Sequence, residues 1–132
     1  MDPVVHFELP YDDGERITRF YRQAFAWEMR AMGAEMGNYI LATTSAKAPP
    51  ASPGAKPGAI DGGFFERELD SPEQLPSIVI SVGDLQASIR KVDEAGGEVL
   101  GEPMDIPGVG SYVAFYDSER NRLGMLQPLA MK

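Results

Sequence analysis

The chain has 132 residues, 43% hydrophobic and 24% charged, with no cysteine and a formal charge of −8 from 12 Lys+Arg against 20 Asp+Glu. This describes one soluble domain that buries roughly two thirds of the surface its unfolded chain exposes; disulfides, thiol nucleophiles and Cys-based zinc sites are excluded. No run reaches the ~18 apolar residues of a membrane span, Met1-Asp2-Pro3 lacks the features of a signal peptide, and the acidic balance counts against nucleic acid, so a cytoplasmic protein with neither a membrane nor a nucleic-acid partner is expected.

Val5, Phe7 and Leu9 alternate with Val4, His6 and Glu8 over a stretch closed by Pro10, which predicts a half-buried strand. Ile17, Phe20, Tyr21, Ala24 and Phe25 then recur at the spacing of one apolar helix face, and Asp12 with Glu15 has the spacing of a capping box. Trp27 to Ala31 and Asn38 to Thr44 read as strands separated by a turn around Gly33 and Gly37, and Ala59 to Glu66 as a fourth strand interrupted by Gly62-Gly63. Residues 45–58 hold four prolines, two lysines and no aliphatic residue larger than Ala, and predict a mobile loop.

A polar linker at 67–76 leads to a run in which Ile78, Ile80 and Val82 alternate with Ser77, Val79 and Ser81. From there the order of elements starts again. Asp84 can cap a helix carrying Leu85, Ile89 and Val92 that Gly96 ends, and Glu98–Gly101, Ser111–Tyr116 and Leu123–Gln127 read as strands. Gly108-Val109-Gly110 precedes a strand and lacks the Lys-Ser or Lys-Thr of a phosphate loop, so it reads as a turn. The chain is therefore a duplication offset by about 70 residues, with His6 matching Ser77 and Phe25 matching Ala95. Module one covers about 1–66 and module two about 77–132 of a single domain. Each module is too short for an independent core of ordinary stability, so the two must bury their sheets against one another or against a second chain.

This order resembles the vicinal oxygen chelate superfamily, which includes glyoxalase, bleomycin resistance proteins and extradiol dioxygenases. The marks are Val5-His6-Phe7-Glu8-Leu9 leading to Arg19-Phe20-Tyr21 and Phe25-Ala26-Trp27, and the closing run from Phe115 to Leu123, similar to the family's Asp-Pro-x-Gly-Asn turn with Ser118 for Pro and Arg120 for Gly. The resemblance implies an α+β fold in which two tandem βαβββ modules form a curved, barrel-like mixed sheet with helices outside and a ligand cavity within. It also implies a small-molecule ligand and a symmetric homodimer. In metal-dependent members, ligands come from the first and fourth strands of each module.

With the helices outside, alternation turns Val5, Phe7 and Leu9 toward the first helix and Val4, His6 and Glu8 toward the cavity; likewise Ile78, Ile80 and Val82 face the second helix and Ser77, Val79 and Ser81 the cavity. Of the family's ligand positions, His6 is a competent donor and Ser77 is not a usual one. The last-strand position falls at Gly124, where metal-dependent relatives tend to have Glu, and its counterpart in module one falls near Gly63 or Phe64, with Glu66 two residues on. No cofactor is therefore expected; a divalent metal would need an unusual set of His6 with acids of the cavity or a partner subunit.

The expected ligand-binding residues are His6, Glu8, Ser77, Val79 and Gly124, with His6 as catalytic candidate, hydrogen-bonding partner or general base. A structural histidine and a solvated rim carboxylate are the plain alternatives for His6 and Glu8. Phe20, Tyr21, Phe25 and Trp27 read as packing, and Tyr39, Tyr112 and Tyr116 as candidates for a cavity wall. One histidine without a Gly-x-Ser-x-Gly turn gives no hydrolytic triad. Three functions remain: a glyoxalase/bleomycin-resistance-like small-molecule binder without the usual metal site; a lyase, isomerase or dioxygenase acting on a small oxygenated metabolite, with His6 as base or metal ligand; and a structural or regulatory module whose cavity has filled with side chains.

Overall fold

Alternating apolar residues from Val4 onward form strand β1 (Val4–Tyr11), and the amphipathic run after it forms helix α1 (Gly14–Phe25). Strands β2 (Glu28–Ala31), β3 (Ile40–Thr43) and β4 (Asp61–Glu66) complete module one. The same order then recurs as β5 (Ser77–Ser81), α2 (Leu85–Glu94), β6 (Glu98–Ile106), β7 (Gly110–Tyr116) and β8 (Arg122–Pro128). The fold is α+β, with two tandem βαβββ modules. The computed structural model describes residues 1–45, 58–68 and 74–129, so most of the expected loop and residues 69–73 of the expected linker lie outside the described residues. The chain divides into two compact units, His6–Pro76 and Met1–Val5 with Ser77–Lys132.

In the unit His6–Pro76 the strand order is β2-β3-β4-β1. Strand β1 lies parallel to β4, with His6 opposite Asp61 and Glu8 opposite Gly63, while β3 lies antiparallel to both β2 and β4. One sheet face packs on α1 through Tyr11, Met29, Ile40, Ala42 and Phe64, joined by Phe7, Leu9, Ile17, Tyr21 and Trp27. Tyr21 and Trp27 stack with ring centroids 4.5 Å apart. Phe7 and Leu9 thus face the helix as alternation requires, whereas Val5 remains 39% exposed.

Two details of α1 differ from the sequence reading. The N-cap is Asp13, whose carboxylate accepts from the Arg16 N–H at 3.0 Å, and not Asp12. An N-cap side chain reaches the N–H two or three positions on, and Asp12 is instead ion-paired with Arg67 at 2.6 Å. Phe20 and Phe25 are 54% and 59% exposed, because the sheet covers only the Ile17 and Tyr21 side of the helix. Their helical spacing is real, but the apolar stripe is wider than the surface that buries it.

In the second unit the order is β5-β8-β7-β6, with β5 parallel to β8 and the other pairs antiparallel. The Ser81 N–H donates to the Pro3 carbonyl at 2.9 Å. Asp84 caps α2 as expected, accepting from the Ala87 N–H at 3.1 Å, and Gly96 takes φ +100° just past the helix. The core is Val82, Leu85, Val113, Phe115 and Met125, with Ile80, Ile89, Val92, Val99 and Leu123 against it; Ile78 stays outside this cluster. Strand β6 runs past Gly101 to Ile106, because a register shift between Leu100 and Met104 restarts its pairing with β7.

The turn before β8 keeps its form with two altered residues. The Asp117 carboxylate accepts from the Glu119 and Asn121 N–H groups and from the Asn121 side-chain amide, each at 2.9 Å. The Asn121 bonds, ahead of the Glu119 one, hold the Asp117 carboxyl below the usual carboxylate range. Arg120 takes the left-handed conformation with φ +65°, a region that suits glycine. Its guanidinium pairs with Glu98 at 2.9 Å and lies 4.2 Å from the centre of the Tyr116 ring.

Phe64 is 0% exposed, and Phe64→Ala should lower unfolding free energy by about 3–5 kcal/mol in urea titration. Phe20→Ala, at an exposed position, should cost about 1 kcal/mol, the scale of its aromatic contacts.

Candidate functional site

Facing away from α1, β1 presents His6 and Glu8, and β4 presents Asp61 and Gly63 directly beside them in register. Tyr39, immediately before β3, reaches this face diagonally and links its groups. The Tyr39 hydroxyl is 2.9 Å from His6 Nε2 and donates to Glu8 Oε2 at 3.1 Å. The phenol occupies the space over Gly63, where any Cβ would collide with its hydroxyl and ring. Gly63 therefore has a definite role: its missing side chain admits the tyrosine that joins His6 to Glu8.

His6 is half-buried. Burial pushes its imidazole below the ordinary value of 6.5, and the Asp61 carboxylate opposes part of that shift. A neutral imidazole at physiological pH can accept a proton or a hydrogen bond. Asp61 is itself anchored, accepting from the Thr44 N–H at 2.9 Å.

Module two repeats the tyrosine-over-glycine contact. Gly124 lies opposite Val79 on β5 and Ala114 on β7, and the ring and hydroxyl of Tyr112 fill the space a Cβ on Gly124 would need. In each module the tyrosine stands two positions from the residue that pairs with the glycine, Tyr39 just ahead of β3 and Tyr112 within β7. The matching residues differ in chemistry. Val79 is buried where module one has Glu8, and the Ser77 hydroxyl donates to the Arg122 carbonyl at 2.8 Å where module one has His6.

The structure thus joins His6 and Glu8 through Tyr39 in one unit, and places Val79 beside Gly124 in the other with Ser77 hydrogen-bonded to β8. Phe64 lies in the core on the opposite face, so the last-strand position of module one is Gly63. Glu66 pairs in register with the core residue Tyr11 and does not share the face of His6. A cleft of about 390 Å³ beside α1, lined by residues such as Tyr11, Arg16, Phe20 and Tyr21, includes none of the expected site residues. The role of Tyr39 as a bridge was not read from the sequence, although a mid-strand glycine with a tyrosine near the start of the adjacent strand is the available signal.

A model of the Glyoxalase/Bleomycin resistance protein/Dioxygenase superfamily matches residues 4–125. The chain is 29% identical over 119 residues to a glyoxylase-like domain-containing protein of Didymella fabae, covering 86% of this chain and 84% of that protein. Solved structures share the fold at low identity. A hypothetical protein from Bacillus halodurans superposes with a TM-score of 0.70 at 12% identity, covering 99% of this chain and 97% of that one. A Streptomyces coelicolor methylmalonyl-CoA epimerase variant in complex with 2-nitronate-propionyl-CoA gives a TM-score of 0.68 at 16% identity, covering 96% and 97%.

Gly63→Ala should displace the Tyr39 ring and cost about 1–3 kcal/mol of stability, whereas in a Tyr39→Ala background the same substitution should cost under about 0.5 kcal/mol; a double-mutant cycle by urea unfolding measures this coupling. The lowered pKa of His6 sets a pH dependence with a definite sign. Above pH 6.5 the ring is neutral folded and unfolded, and below it the unfolded chain takes up the proton first, so stability falls until pH passes the folded value. Comparing unfolding of the native protein and His6→Gln across pH 5–8 should show this acid-side loss only with histidine present.

Proposed function

The chain belongs to the Glyoxalase/Bleomycin resistance protein/Dioxygenase superfamily, and within it we propose a small-molecule-binding protein that works without the superfamily's usual metal site. The carrying observation is the tyrosine over glycine at the last-strand position of both modules. A glutamate there would have to occupy the volume of Tyr39 or Tyr112. On the first strands, Ser77 is a poor donor to such a metal, and His6 Nε2 already faces the Tyr39 hydroxyl. Among the described residues no three His, Asp or Glu side chains form a metal-holding group. The residues present do not fit a catalytic divalent cation.

What these faces offer a ligand is hydrogen-bonding capacity next to aromatic area. His6, Tyr39 and Glu8 form a connected polar row in one unit, and Tyr112 with Val79 and Gly124 a more apolar surface in the other. The same proposal includes a cytoplasmic setting and a homodimer. A second reading, a lyase or isomerase with His6 as general base, is favoured by the burial that keeps this imidazole neutral.

Elemental analysis of protein purified without chelator should find no stoichiometric zinc, nickel, iron or manganese. Metal at one equivalent that is lost in His6→Ala would overturn the metal-free reading. A thermal-shift screen of small metabolites, cationic antibiotics and acyl-CoA thioesters should find a stabiliser, since a ligand at 100 times its Kd adds about 2.7 kcal/mol. No stabiliser across that screen would favour the filled, structural module instead.

A further inference from the structure

The hydrogen bonds around Tyr39 constrain which proton the only histidine carries. A phenol has one proton to give, and here it is directed at Glu8 Oε2 at 3.1 Å. His6 Nε2 lies 2.9 Å from the same phenolic oxygen. With the Tyr39 proton committed to the carboxylate, Nε2 must carry a hydrogen, since two lone pairs facing each other at that distance repel. The lone pair of the neutral ring then stays on Nδ1. Tyr39 cannot readily turn away from this role, because Gly63 provides the space its ring fills.

We infer that Tyr39 is a positioning residue that fixes the tautomer of His6, making the imidazole a hydrogen-bond acceptor toward its ligand, and that the ligand group recognised there is a donor: an ammonium, an amide N–H or a hydroxyl. This rests on the binding reading above and names its ligand class. The charges on this face agree. Glu8 and Asp61 flank His6, both on strands adjacent in register. A donor group beside His6 would meet the Nδ1 lone pair with the acceptor oxygens of Asp61 and Glu8 alongside.

Because the chain has one histidine, histidine-selective 15N labelling yields a single imidazole whose tautomer NMR reads without assignment. At pH 8 the native ring should carry its proton on Nε2. The diagnostic is Glu8→Met: with no acceptor at that position the Tyr39 proton turns to Nε2, and the ring should invert to the Nδ1–H form. Tyr39→Phe keeps a ring over Gly63 and should give a mixture. An Nδ1–H ring in the native protein, or no change in Glu8→Met, overturns the assignment of Tyr39. In the second arm, benzylammonium and benzoate, matched in size and opposite in charge, are titrated while the His6 signal is followed. Benzylammonium should move it, with affinity weakened in Tyr39→Phe in proportion to the fraction of rings that lose the Nε2–H form, about twofold for an even mixture. Movement with benzoate, or with neither probe, overturns the ligand class. The tautomer measurement needs no ligand, so its failure is distinct from failure of the binding reading, which shows as an empty thermal-shift screen.

Discussion

A tyrosine ring held over a backbone glycine is the contact that shapes the face turned away from the helix in each module. In module one it lets a phenol reach His6 Nε2 and Glu8 Oε2 at once, and in module two it packs Tyr112 over Gly124. The contact works only because the last strand omits a side chain at that point. Strand glycines ordinarily weaken a sheet, and here the loss is offset by the aromatic area and hydrogen bonds they admit.

Strand alternation carries the rest. On β1, Phe7 and Leu9 pack toward α1 while His6 and Glu8 occupy the other face, so a few residues serve both the core and the chemistry. The duplication then applies the same division twice with different contents. His6 and Glu8 match Ser77 and Val79, so one module carries a polar row with a neutral imidazole and the other sets its tyrosine beside the buried Val79, with the Ser77 hydroxyl bonded to Arg122. Duplicated modules that keep their packing faces but diverge on their other faces need not share one ligand chemistry.

The local departures have local causes. Asp13 and not Asp12 caps α1, because side-chain reach to the first free N–H groups selects a single position among adjacent aspartates. The turn at Asp117 survives Ser and Arg in place of Pro and Gly because its hydrogen bonds come from Asp117 and Asn121, which are both retained. The cost falls on Arg120 as a left-handed backbone, alongside its pairing with Glu98 and its contact with Tyr116.

Much of the molecule follows from sequence periodicity, which is a local property. Alternation in Val4–Leu9 and Ser77–Val82, the helical spacing after Asp13 and Asp84, and the repeat at about 70 residues determine the α+β class, the two βαβββ modules and the face that carries His6 and Glu8. Periodicity does not say how wide a face its partner covers, so Phe20 and Phe25 looked like core and are exposed. Nor does it say which side chain crosses between strands. Strand register decided that Gly63, and not Phe64, shares a face with Glu8, and that Tyr39 fills its space. Register arises from pairing between segments distant in the chain, which is why the bridge from His6 to Glu8 belongs to the tertiary structure and not to any motif.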